Sequence, residues 1–482
     1  MTKFFTITEY IKDIIRGTKF ERHIYAVGGS VRDLQMKKPI KDIDLVIDIE
    51  NGGVEFAKFC MDSNLLTHDV VLFERYGTAM FKFLKFPDDE IECVMTRGEK
   101  YPDRNSRNPE TVFASIEDDC IRRDLTINAL YYNISTGEIV DMVGGLNDIE
   151  NKVIRTTNEN PDIVFDDDPL RVLRCVRFST RYGWEIEPKT YESMKRYVDR
   201  LEIISKERIK DEFNKILLSD NVSMGIRTLC DIGAMKYIIP EVDEMIGMEQ
   251  NAFHFGDVFE HTMALLDYDV KHFQSDDITV RLALLLHDIG KIRTRSVGDD
   301  GRVHFYEHEF VGSNMVVDIL KRLKYDNKTI DDVRFLIKNH MRTKNFGNDC
   351  EKIKTKHFNK LAYTCKNEYR YKSLVRVIDC DNNSHKAEHN ITGQYDYFIS
   401  HLDDAVKMFN YKLPVDGNDV MDMLKISGGV LVKKVLDKLM TRAFPNPDTL
   451  TKDSCLKQIP NITKEILKSE PKLFEDNFVK YK

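Results

Sequence analysis

Hydrophobic and polar residues follow two different patterns along this chain, and the change falls near residue 151. Before that point, β-branched and aromatic residues are concentrated in short runs, which predict strands at residues 24–27, 43–49, 79–84, 90–95 and 127–134. After it, apolar residues recur at three-and-four spacing, which predicts helices that bury one face at residues 170–178, 209–218 and 281–286. The sequence therefore predicts an α+β fold, with a small mixed sheet first and a mostly α-helical remainder.

Length and composition limit the classes of protein to which the chain can belong. Its 482 residues exceed the usual size of a single core, so two to four domains are expected. Hydrophobic residues make up 42% and charged residues 32%, which excludes a disordered tail and a collagen-like chain. The longest apolar runs, such as residues 282–286, are far shorter than the roughly 20 residues of a membrane-spanning helix. No membrane partner is expected.

The cysteines and the N-terminus indicate where the protein works. Nine cysteines are scattered singly without a C-x-x-C pair, which argues against a disulfide framework and against a zinc ribbon. The N-terminal residues carry no signal-peptide pattern. A reducing cytoplasm is the predicted location.

The distribution of charge restricts any nucleic-acid contact to a local patch. The chain has 72 Lys and Arg against 80 Asp and Glu, a net charge of −8, so it is not a polycation as a whole. Residues 320–376 differ, because they hold 16 Lys and Arg, only 6 Asp and Glu, and several aromatic residues. This segment either contacts a phosphate backbone or forms a solvated helix surface balanced by acidic neighbours, and charge alone leaves both open.

The first candidate site combines a glycine turn with paired acids. Gly28 and Gly29 follow a predicted strand and open a helix, where backbone amides can approach a phosphate closely. Asp42 and Asp44 start the next strand, and the two-residue period places both carboxylates on one face. A solvated strand end usually explains two such acids, but the neighbouring turn favours divalent cations that bridge them to a triphosphate. Glu92 is either a third carboxylate of this site or an exposed strand residue.

Arginines are the second feature of this region. Arg122, Arg123 and Asp124 precede a predicted strand, where paired arginines suit contacts with ribose and triphosphate. A helix that opens at Asp167 and Asp168 carries further arginines at three-and-four spacing. They are Arg171, Arg174, Arg177 and Arg181. A salt-bridged surface helix is the alternative, but no Glu lies among these arginines, which favours a phosphate partner.

The order of these motifs resembles that of the class II tRNA nucleotidyltransferases, the CCA-adding enzymes and their bacterial poly(A) polymerase relatives. The matching residues are Gly28-Gly29, Asp42-x-Asp44, Arg122-Arg123-Asp124, Asp141-x-x-Gly144-Gly145-x-x-Asp148, Asp167-Asp168-x-x-Arg171 and Glu207-Arg208-Ile209-x-x-Glu212-Phe213. The family usually has Glu at the position of Asp167, so this residue departs from its pattern. The polar stretch 97–115 resembles the family's flexible loop, which is linked to the addition of the final A.

The resemblance implies a nucleotidyltransferase head that binds magnesium and a nucleotide. Its catalytic residues would be Asp42, Asp44 and Glu92, with Mg²⁺ held by Asp42 and Asp44. Its nucleotide-binding residues would be Gly28, Gly29, Arg32, Arg122, Arg123, Asp124, Asn128, Asp168, Arg171, Arg174 and Arg177.

The chemistry of Asp168 and Arg171 predicts which bases are selected. A carboxylate only accepts hydrogen bonds and a guanidinium only donates them, so together they require a base edge with a donor beside an acceptor. Cytosine and adenine have that edge, whereas guanine and uracil present a carbonyl beside an N–H. The three-residue spacing predicts that both side chains lie on the first turn of the helix, as a protein template for C and A.

The helical half contains a second cluster of residues that bind metals. It comprises His261, His287, Asp288, His308, His340 and Asp381. Imidazole and carboxylate together suit a transition metal, with two ions possible where five or more ligands converge. The series resembles the HD-domain metal-dependent phosphohydrolases, and Asp381-Asn382-x-Ser384-His385 resembles the form fused behind a CCA-adding head. Asp379 competes with Asp381 for the last ligand position, and Asp381 is preferred.

Together these features predict a template-independent RNA nucleotidyltransferase with a fused HD phosphohydrolase. It would add C and A from CTP and ATP to the 3′ end of tRNA or another RNA, with Mg²⁺ at the head and Ni²⁺, Co²⁺, Mn²⁺ or Fe²⁺ at the HD site. The predicted divisions are the head at residues 1–152, a helical neck and body with the nucleotide-selection helix and RNA contacts at 153–250, the HD domain at 251–390, and a helical tail that contacts tRNA at 391–482. The alternatives are a poly(A), A-only or CC-adding enzyme, an HD hydrolase with a nucleotide-sensing head, and a catalytically silent RNA-binding protein.

Overall fold

The strands of the first half form one sheet that determines where the predicted head residues lie. The computed structural model describes residues 2–100, 110–250, 256–274, 276–299, 301–384 and 390–473. The strands of this half are β1 (Ile24–Val27), β2 (Ile43–Ile47), β3 (Val71–Phe73), β4 (Thr78–Phe83), β5 (Phe86–Met95), β6 (Arg97–Lys100), β7 (Glu110–Phe113), β8 (Leu130–Asn133), β9 (Ile139–Asp141), β10 (Val153–Ile154) and β11 (Glu185–Ile186). Seven of them form a mixed sheet in the order β3-β4-β5-β2-β1-β8-β9, in which β2 and β5 are parallel and the other neighbours antiparallel.

Helices cover this sheet and continue beyond it. They are α1 (Thr2–Ile15), α2 (Gly29–Gln35), α3 (Gly52–Asp62), α4 (Ile116–Ile121), α5 (Gly145–Asn151), α6 (Pro161–Asp167), α7 (Leu170–Tyr182), α8 (Pro188–Tyr197), α9 (Lys206–Leu217), α10 (Val222–Asp231), α11 (Met235–Ile238) and α12 (Pro240–Asp243). In α1, the fully buried Phe4, Ile7 and Ile11 follow three-and-four spacing and share one core with Leu45 of β2 and Phe81 of β4. This core fixes the strands from which the candidate residues extend.

The structure confirms the predicted fold class and most of the predicted strands. β1 has the predicted bounds, and the runs 43–49, 79–84 and 90–95 correspond to β2, β4 and β5. The stretch 97–115, predicted to be a loop, instead contains β6 and β7, which pair antiparallel. Residues 101–109 of that stretch lie outside the described residues.

The predicted strand over residues 127–134 is wrong in its first part. Thr126–Asn128 forms a 3₁₀ turn, and β8 begins only at Leu130. The carboxylate of Asp124 accepts hydrogen bonds from the backbone N–H of Leu125 over 2.9 Å and from Nδ2 of Asn128 over 3.2 Å. Such local side-chain bonds compete with strand pairing, so the chain curls here before it enters the sheet.

From residue 244 onward the described chain is almost entirely helical. Its helices are α13 (Val258–Phe273), α14 (Ile278–Leu286), α15 (Lys291–Thr294), α16 (His308–Arg322), α17 (Asn327–Asn339), α18 (Thr355–Cys365), α19 (Glu368–Asn382), α20 (Gln394–Ser400), α21 (Leu402–Ala405), α22 (Gly417–Leu424), α23 (Val430–Ala443) and α24 (Lys452–Ser469), with β12 (Arg295–Val297) and β13 (Val303–Phe305) as a short antiparallel pair. Residues 282–286 of α14 are all fully buried, because α13, α17 and α19 pack around this helix. The buried Asp269 of α13 pairs with Arg281 of α14 (Oδ2–Nε 3.0 Å) and with Arg376 of α19 (Oδ2–Nη2 2.7 Å).

Packing divides the chain into two compact units. The first unit ends at Asp243 and includes Arg322–Lys324, and the second comprises the other residues from Glu244 onward. The four-part division of the chain remains a prediction. In the described part of the chain, no helix combines the length and the apolar character needed to span a membrane.

Candidate functional site

A cavity of about 390 Å³ in the first unit brings together most of the residues predicted to bind a nucleotide. Its charged lining comprises Asp44, Glu92, Arg97, Arg122, Arg123, Asp124, Asp168, Arg171, Arg174 and Arg208. Its apolar lining comprises Val27, Leu45, Val94 and Leu170. Carboxylates and a larger number of cations in one cavity suit a polyanion that is bound together with divalent cations.

Two of the three predicted catalytic carboxylates are neighbours in the sheet. Asp44 on β2 lies beside Glu92 on β5 in the parallel register, and both line the cavity. Asp42 is exposed, lies one residue before β2 and is not among the residues that line the cavity. Desolvation by the surrounding residues, and then the charges of Glu92 and Asp42, raise the pKa of Asp44, while Arg123 opposes them. Carboxylate oxygens crowded in this way fit a hard divalent cation.

The glycine turn forms between β1 and α2, as predicted. Gly28 has a φ of +65°, a left-handed conformation that favours glycine. A Cβ atom at this position would lie 3.7 Å from Nη1 of Arg123, so the turn and this arginine are neighbours. Arg32 and Asn128 are both buried and bond to each other, Nη1 of Arg32 donating to Oδ1 of Asn128 over 2.6 Å. This bond connects α2 to the turn before β8, and neither side chain lines the cavity.

A buried carboxylate that the sequence analysis missed holds the predicted arginine pair. Both oxygens of Asp119 are used: Oδ1 lies 2.7 Å from Nη2 of Arg122, and Oδ2 lies 3.0 Å from Nη2 of Arg123. The hydroxyl of Tyr131 also donates to Oδ2, over 2.7 Å. Burial acts to raise the pKa of Asp119, but Arg123, Arg122 and Tyr131 outweigh it and lower that pKa to about 2. The spacing of three and four residues on α4 is the signal that would have identified this acid.

Only part of the predicted arginine stripe on α7 is available to a ligand. Nε of Arg174 lies 2.6 Å from Oδ2 of Asp124, so this cavity residue already has a carboxylate partner. Nη1 of Arg177 lies 2.9 Å from Oε1 of Glu212, and Arg177 is not among the cavity residues. The acids that pair with these arginines lie on other elements. The composition of α7 alone could therefore not predict these ion pairs.

Asp168 and Arg171 both line the cavity, but Asp168 does not lie on the first turn of a helix as predicted. It precedes Pro169 and has an extended backbone (φ −142°), because the residue before a proline is disfavoured in helical conformation. Its Oδ2 lies 2.8 Å from Nη2 of Arg208, a partner that the sequence analysis did not assign. Nη1 of Arg171 donates to the carbonyl of Val164 over 3.2 Å.

The second unit brings the six predicted HD residues into one buried cluster. They lie on or directly after helices: His261 on α13, His287 and Asp288 after α14, His308 at the start of α16, His340 after α17 and Asp381 on α19. His261, His287 and Asp288 form one group whose ligand atoms lie within 4.8 Å of one another, and Asp288, His308 and His340 form another. Nε2 of His261 lies 3.2 Å from Oδ1 of Asp381. Within the described residues, these are the groups of three or more ligand residues close enough to share an ion.

The hydrogen bonds of the histidines fit metal binding. Nδ1 of His261, His287, His308 and His340 each lies 2.7–3.1 Å from a backbone carbonyl oxygen, which requires the proton on Nδ1 and leaves the lone pair on Nε2. Nε2 of His340 is buried and has no hydrogen-bond partner, and Nε2 of His287 lies 3.1 Å from Oδ2 of Asp288 within the cluster. Burial lowers the pKa of His261 and lowers that of His340 to about 3, so both rings stay neutral. Neutral imidazoles with a free Nε2 lone pair are the form that binds a transition metal.

Neighbouring contacts show which of Asp379 and Asp381 belongs to the cluster, and two lysines lie beside its carboxylates. Asp379 accepts a hydrogen bond from Tyr268 over 3.1 Å, whereas Asp381 contacts His261, so Asp381 is the acid that belongs to the cluster. Nζ of Lys291 lies 2.6 Å from Oδ2 of Asp288. Nζ of Lys344 lies 2.7 Å from Oδ2 of Asp381. The sequence analysis assigned no role to these lysines, and His385 lies outside the described residues.

Three family models match successive parts of the chain. "Poly A polymerase head domain" matches residues 24–155, "Probable RNA and SrmB- binding site of polymerase A" matches residues 183–246, and "HD domain" matches residues 253–379. The Multifunctional CCA protein of Acinetobacter baumannii (strain AYE) is 32% identical over 329 residues, which are 66% of this chain and 74% of that protein. The A-adding tRNA nucleotidyltransferase of Deinococcus radiodurans is 35% identical over 233 residues, which are 47% of this chain and 53% of that protein.

Solved structures of similar fold cover nearly the whole chain. The CCA-adding enzyme of Bacillus stearothermophilus in complex with CTP has a TM-score of 0.67 at 19% identity, and the match covers 96% of this chain and 99% of that one. The CCA-adding enzyme of Thermotoga maritima complexed with tRNA has a TM-score of 0.56 at 21% identity, with 95% and 94% covered. At this level of identity these matches establish the fold.

Replacing Asp119 by Asn should weaken binding of ATP to the cavity by about tenfold or more, because Arg122 and Arg123 lose the carboxylate that holds both guanidinium groups. Isothermal titration calorimetry measures the affinity, and thermal melting shows whether the variant is folded. Glu117→Gln is the matched control, since it removes a charge from an exposed acid of the same helix that does not line the cavity, and its effect should stay below about threefold. A folded Asp119→Asn variant with unchanged ATP affinity would show that the arginines are positioned by other contacts.

Proposed function

Because this chain belongs to the family of CCA-adding tRNA nucleotidyltransferases, we propose that it adds C and A from CTP and ATP to the 3′ end of tRNA without a nucleic-acid template. The observation that carries the proposal is the cavity of the first unit, where Asp44 and Glu92 face a group of arginines. This combination suits transfer of a nucleotidyl group, since the reaction needs carboxylates for divalent cations and cations for a triphosphate. The cytoplasm remains the predicted location.

In this proposal Arg122 and Arg123 bind the triphosphate. The buried Asp119 orients both arginines. Asp44 and Glu92 would hold Mg²⁺, which when bound lowers the pKa of the primer 3′ hydroxyl and stabilises the leaving pyrophosphate. Asp42, the other predicted ligand, does not line the cavity and would need a different side-chain conformation to join them. Arg123 opposes the rise in the pKa of Asp44 and so favours its ionised form. Gly28 and Gly29 do not line the cavity, but the left-handed turn at Gly28 lies next to Arg123, so the start of α2 would approach a phosphate held by that arginine.

Base selection would depend on Asp168 and Arg171 at the same cavity. The carboxylate accepts from the exocyclic amino group of cytosine or adenine, and the guanidinium donates to the neighbouring ring nitrogen. Arg208, whose Nη2 lies 2.8 Å from Oδ2 of Asp168, limits the rotation of this carboxylate. Guanine and uracil would leave both charged groups without complementary partners, so they are rejected.

Asp44→Asn should lower the rate of nucleotide addition by about three orders of magnitude, because it removes a charged ligand of the divalent cations. The assay uses tRNA that ends at the discriminator base and all four triphosphates, and sequencing of the products is expected to give C-C-A with the wild type. Glu90→Gln is the control, since Glu90 lies exposed on the same strand as Glu92 and outside the cavity.

The same experiment separates the alternatives. If the wild type adds only A, only C or long A tracts, the proposed CCA addition is replaced by A addition, CC addition or poly(A) synthesis, respectively. No addition by the wild type would contradict the proposal and favour a head that only senses nucleotides. Near-normal addition by Asp44→Asn would instead contradict the assignment of Asp44 as a ligand of the divalent cations.

Asp168→Ala should reduce the preference for CTP and ATP over UTP and GTP by about 30-fold, because the base edge loses the carboxylate proposed to accept from its amino group. Single-turnover rates with each triphosphate measure the preference. Asp220→Ala is the control, since this exposed acid does not line the cavity, and it should change the preference by less than about threefold. Unchanged selectivity in Asp168→Ala would place base choice elsewhere.

The cluster of the second unit supports phosphoester hydrolysis as a second function. His261, His287, Asp288, His308, His340 and Asp381 would hold a transition metal such as Ni²⁺, Co²⁺, Mn²⁺ or Fe²⁺, which when bound activates water at neutral pH. Lys291 and Lys344, beside Asp288 and Asp381, supply positive charge for a phosphate. A phosphate monoester or a 2′,3′-cyclic phosphate at a damaged RNA end is the proposed substrate, because its removal restores the hydroxyl that the first unit extends.

His287→Gln should lower the content of bound transition metal and reduce hydrolysis of a 2′,3′-cyclic nucleotide by about 100-fold, while CCA addition continues. Elemental analysis after loading with Ni²⁺, Co²⁺ or Mn²⁺ and two separate activity assays measure these effects. His272→Gln is the control, because the exposed His272 makes the same Nδ1 contact with a backbone carbonyl but lies outside the cluster. Unchanged metal content, or the loss of both activities in a folded variant, would contradict the assignment.

A further inference from the structure

A second cavity, of about 130 Å³, lies in the second unit, and all its lining residues except Phe398 belong to the basic segment 320–376. Its lining combines the polar residues Arg342, Thr343, His357 and Lys360 with the aromatic rings of Phe346 and Phe398. None of these residues belongs to the metal cluster or to the nucleotide cavity. The cavity is therefore a separate feature whose chemistry the two proposed activities do not use.

The positive charge around this cavity is not neutralised by nearby acids. In the part of the chain that the structure describes, Arg342, Lys354, Lys356 and Lys360 form no ion pair with a carboxylate, and Nε of Arg342 donates only to the neutral Oδ1 of Asn339 over 2.5 Å. Burial lowers the pKa of His357, and Lys356, Lys360 and Lys354 lower it further. The charges that act on His357 are thus all positive, as expected of a surface that binds an anion.

The hydrogen-bonding groups of the cavity are arranged as donors. Nδ1 of His357 accepts a hydrogen bond from the backbone N–H of Lys354 over 2.9 Å, so its proton is on Nε2, which is a donor. The ring of Phe346 packs on His357 with centroids 4.7 Å apart and limits its rotation. With the guanidinium of Arg342 and the ammonium of Lys360, the lining offers donors on three side chains to a ligand rich in acceptor oxygens.

The hydroxyl of Thr343 is the strongest sign of a ligand. Thr343 is only 3% exposed, and its Oγ1 has no hydrogen-bond partner, although buried hydroxyl groups are almost always bonded. A bound oxyanion would supply the missing partner. The volume is below the roughly 300 Å³ at which pockets for whole small molecules begin, so the cavity accommodates a phosphate group rather than a complete nucleotide.

We propose that this cavity binds a backbone phosphate of an RNA strand. Exposed lysines continue beyond the cavity at Lys352, Lys354, Lys356 and Lys366, so the surface offers cations to several phosphates in succession, as only a polynucleotide presents them. Thr343 directly precedes Lys344, whose Nζ lies 2.7 Å from Asp381 of the metal cluster. A strand held at this cavity therefore lies next to the cluster. Binding of RNA at this cavity does not depend on hydrolysis at the cluster or on nucleotide addition by the first unit.

The test is binding of a labelled tRNA by the full chain, measured by fluorescence anisotropy at several salt concentrations. Arg342→Gln combined with Lys360→Gln should weaken binding about tenfold. It should also reduce the slope of log Kd against log salt concentration by about 1 to 2. The matched control combines Arg334→Gln with Lys338→Gln on α17, which removes the same charge from the same basic segment outside the cavity. The control should weaken binding by less than about threefold.

Two further variants separate binding from folding. Thr343→Val replaces the unpartnered hydroxyl by a methyl group, so it should lower RNA affinity several-fold without lowering the melting temperature. Arg342→Lys combined with Lys360→Arg keeps both charges and should restore most of the affinity. Equal effects of the cavity and control pairs, or a Thr343→Val variant that loses stability but not affinity, would overturn the proposal.

Titrations with smaller anions distinguish the possible sources of the phosphate. Inorganic phosphate, CMP and a phosphorylated peptide are each added as competitors of the labelled tRNA. Weak competition by all three, at millimolar concentration or above, is expected for one contact of a multivalent RNA surface. Micromolar competition that is lost in the cavity pair would instead identify a site for free phosphate, for a mononucleotide or for a phosphopeptide, and would overturn the assignment to RNA.

Discussion

A charge that is removed from water has to be paired, and this constraint organises both units of the protein. In the second unit, the buried Asp269 holds Arg281 and Arg376, so that three helices are joined at one carboxylate. The same helices, α13, α14 and α19, carry or precede residues of the metal cluster. In the first unit, Asp119 performs the corresponding task for the two arginines of the nucleotide cavity. Removal of either acid would take away the carboxylate that balances two cations, which is more costly than the loss of an exposed ion pair.

The two units use different donor atoms, and this difference separates their proposed chemistries. Asp44 and Glu92 offer only carboxylate oxygens, which suit Mg²⁺, whereas the cluster of the second unit is dominated by imidazole, which suits softer ions. The histidines are prepared for this role by their backbone contacts, because a carbonyl at Nδ1 fixes the tautomer and leaves Nε2 free. One chain can therefore contain two metal-dependent sites that respond to different ions.

Much of the fold and of the candidate sites could be predicted from local patterns. The two-residue period of a strand places Asp44 on its cavity-facing side, and a glycine that follows β1 forms the left-handed turn at Gly28. The apolar run before His287 and Asp288 predicts a buried helix that delivers this pair to an interior position, as the structure has it. Such features depend on residues within a few positions of one another, and a sequence displays them directly.

The sequence by itself determined the fold class, the order of the motifs and the set of ligand-type residues. Only the tertiary structure decided which charged groups are used internally and which remain for a ligand. Arg177 looked available within α7, but Glu212, 35 positions away, is its partner, while Arg342 and Lys360 of the second cavity form no ion pair with a carboxylate among the described residues. The physical reason is that ion pairs form between groups that folding brings together in space. These groups can be far apart along the chain, so no local pattern in the sequence identifies the pairs.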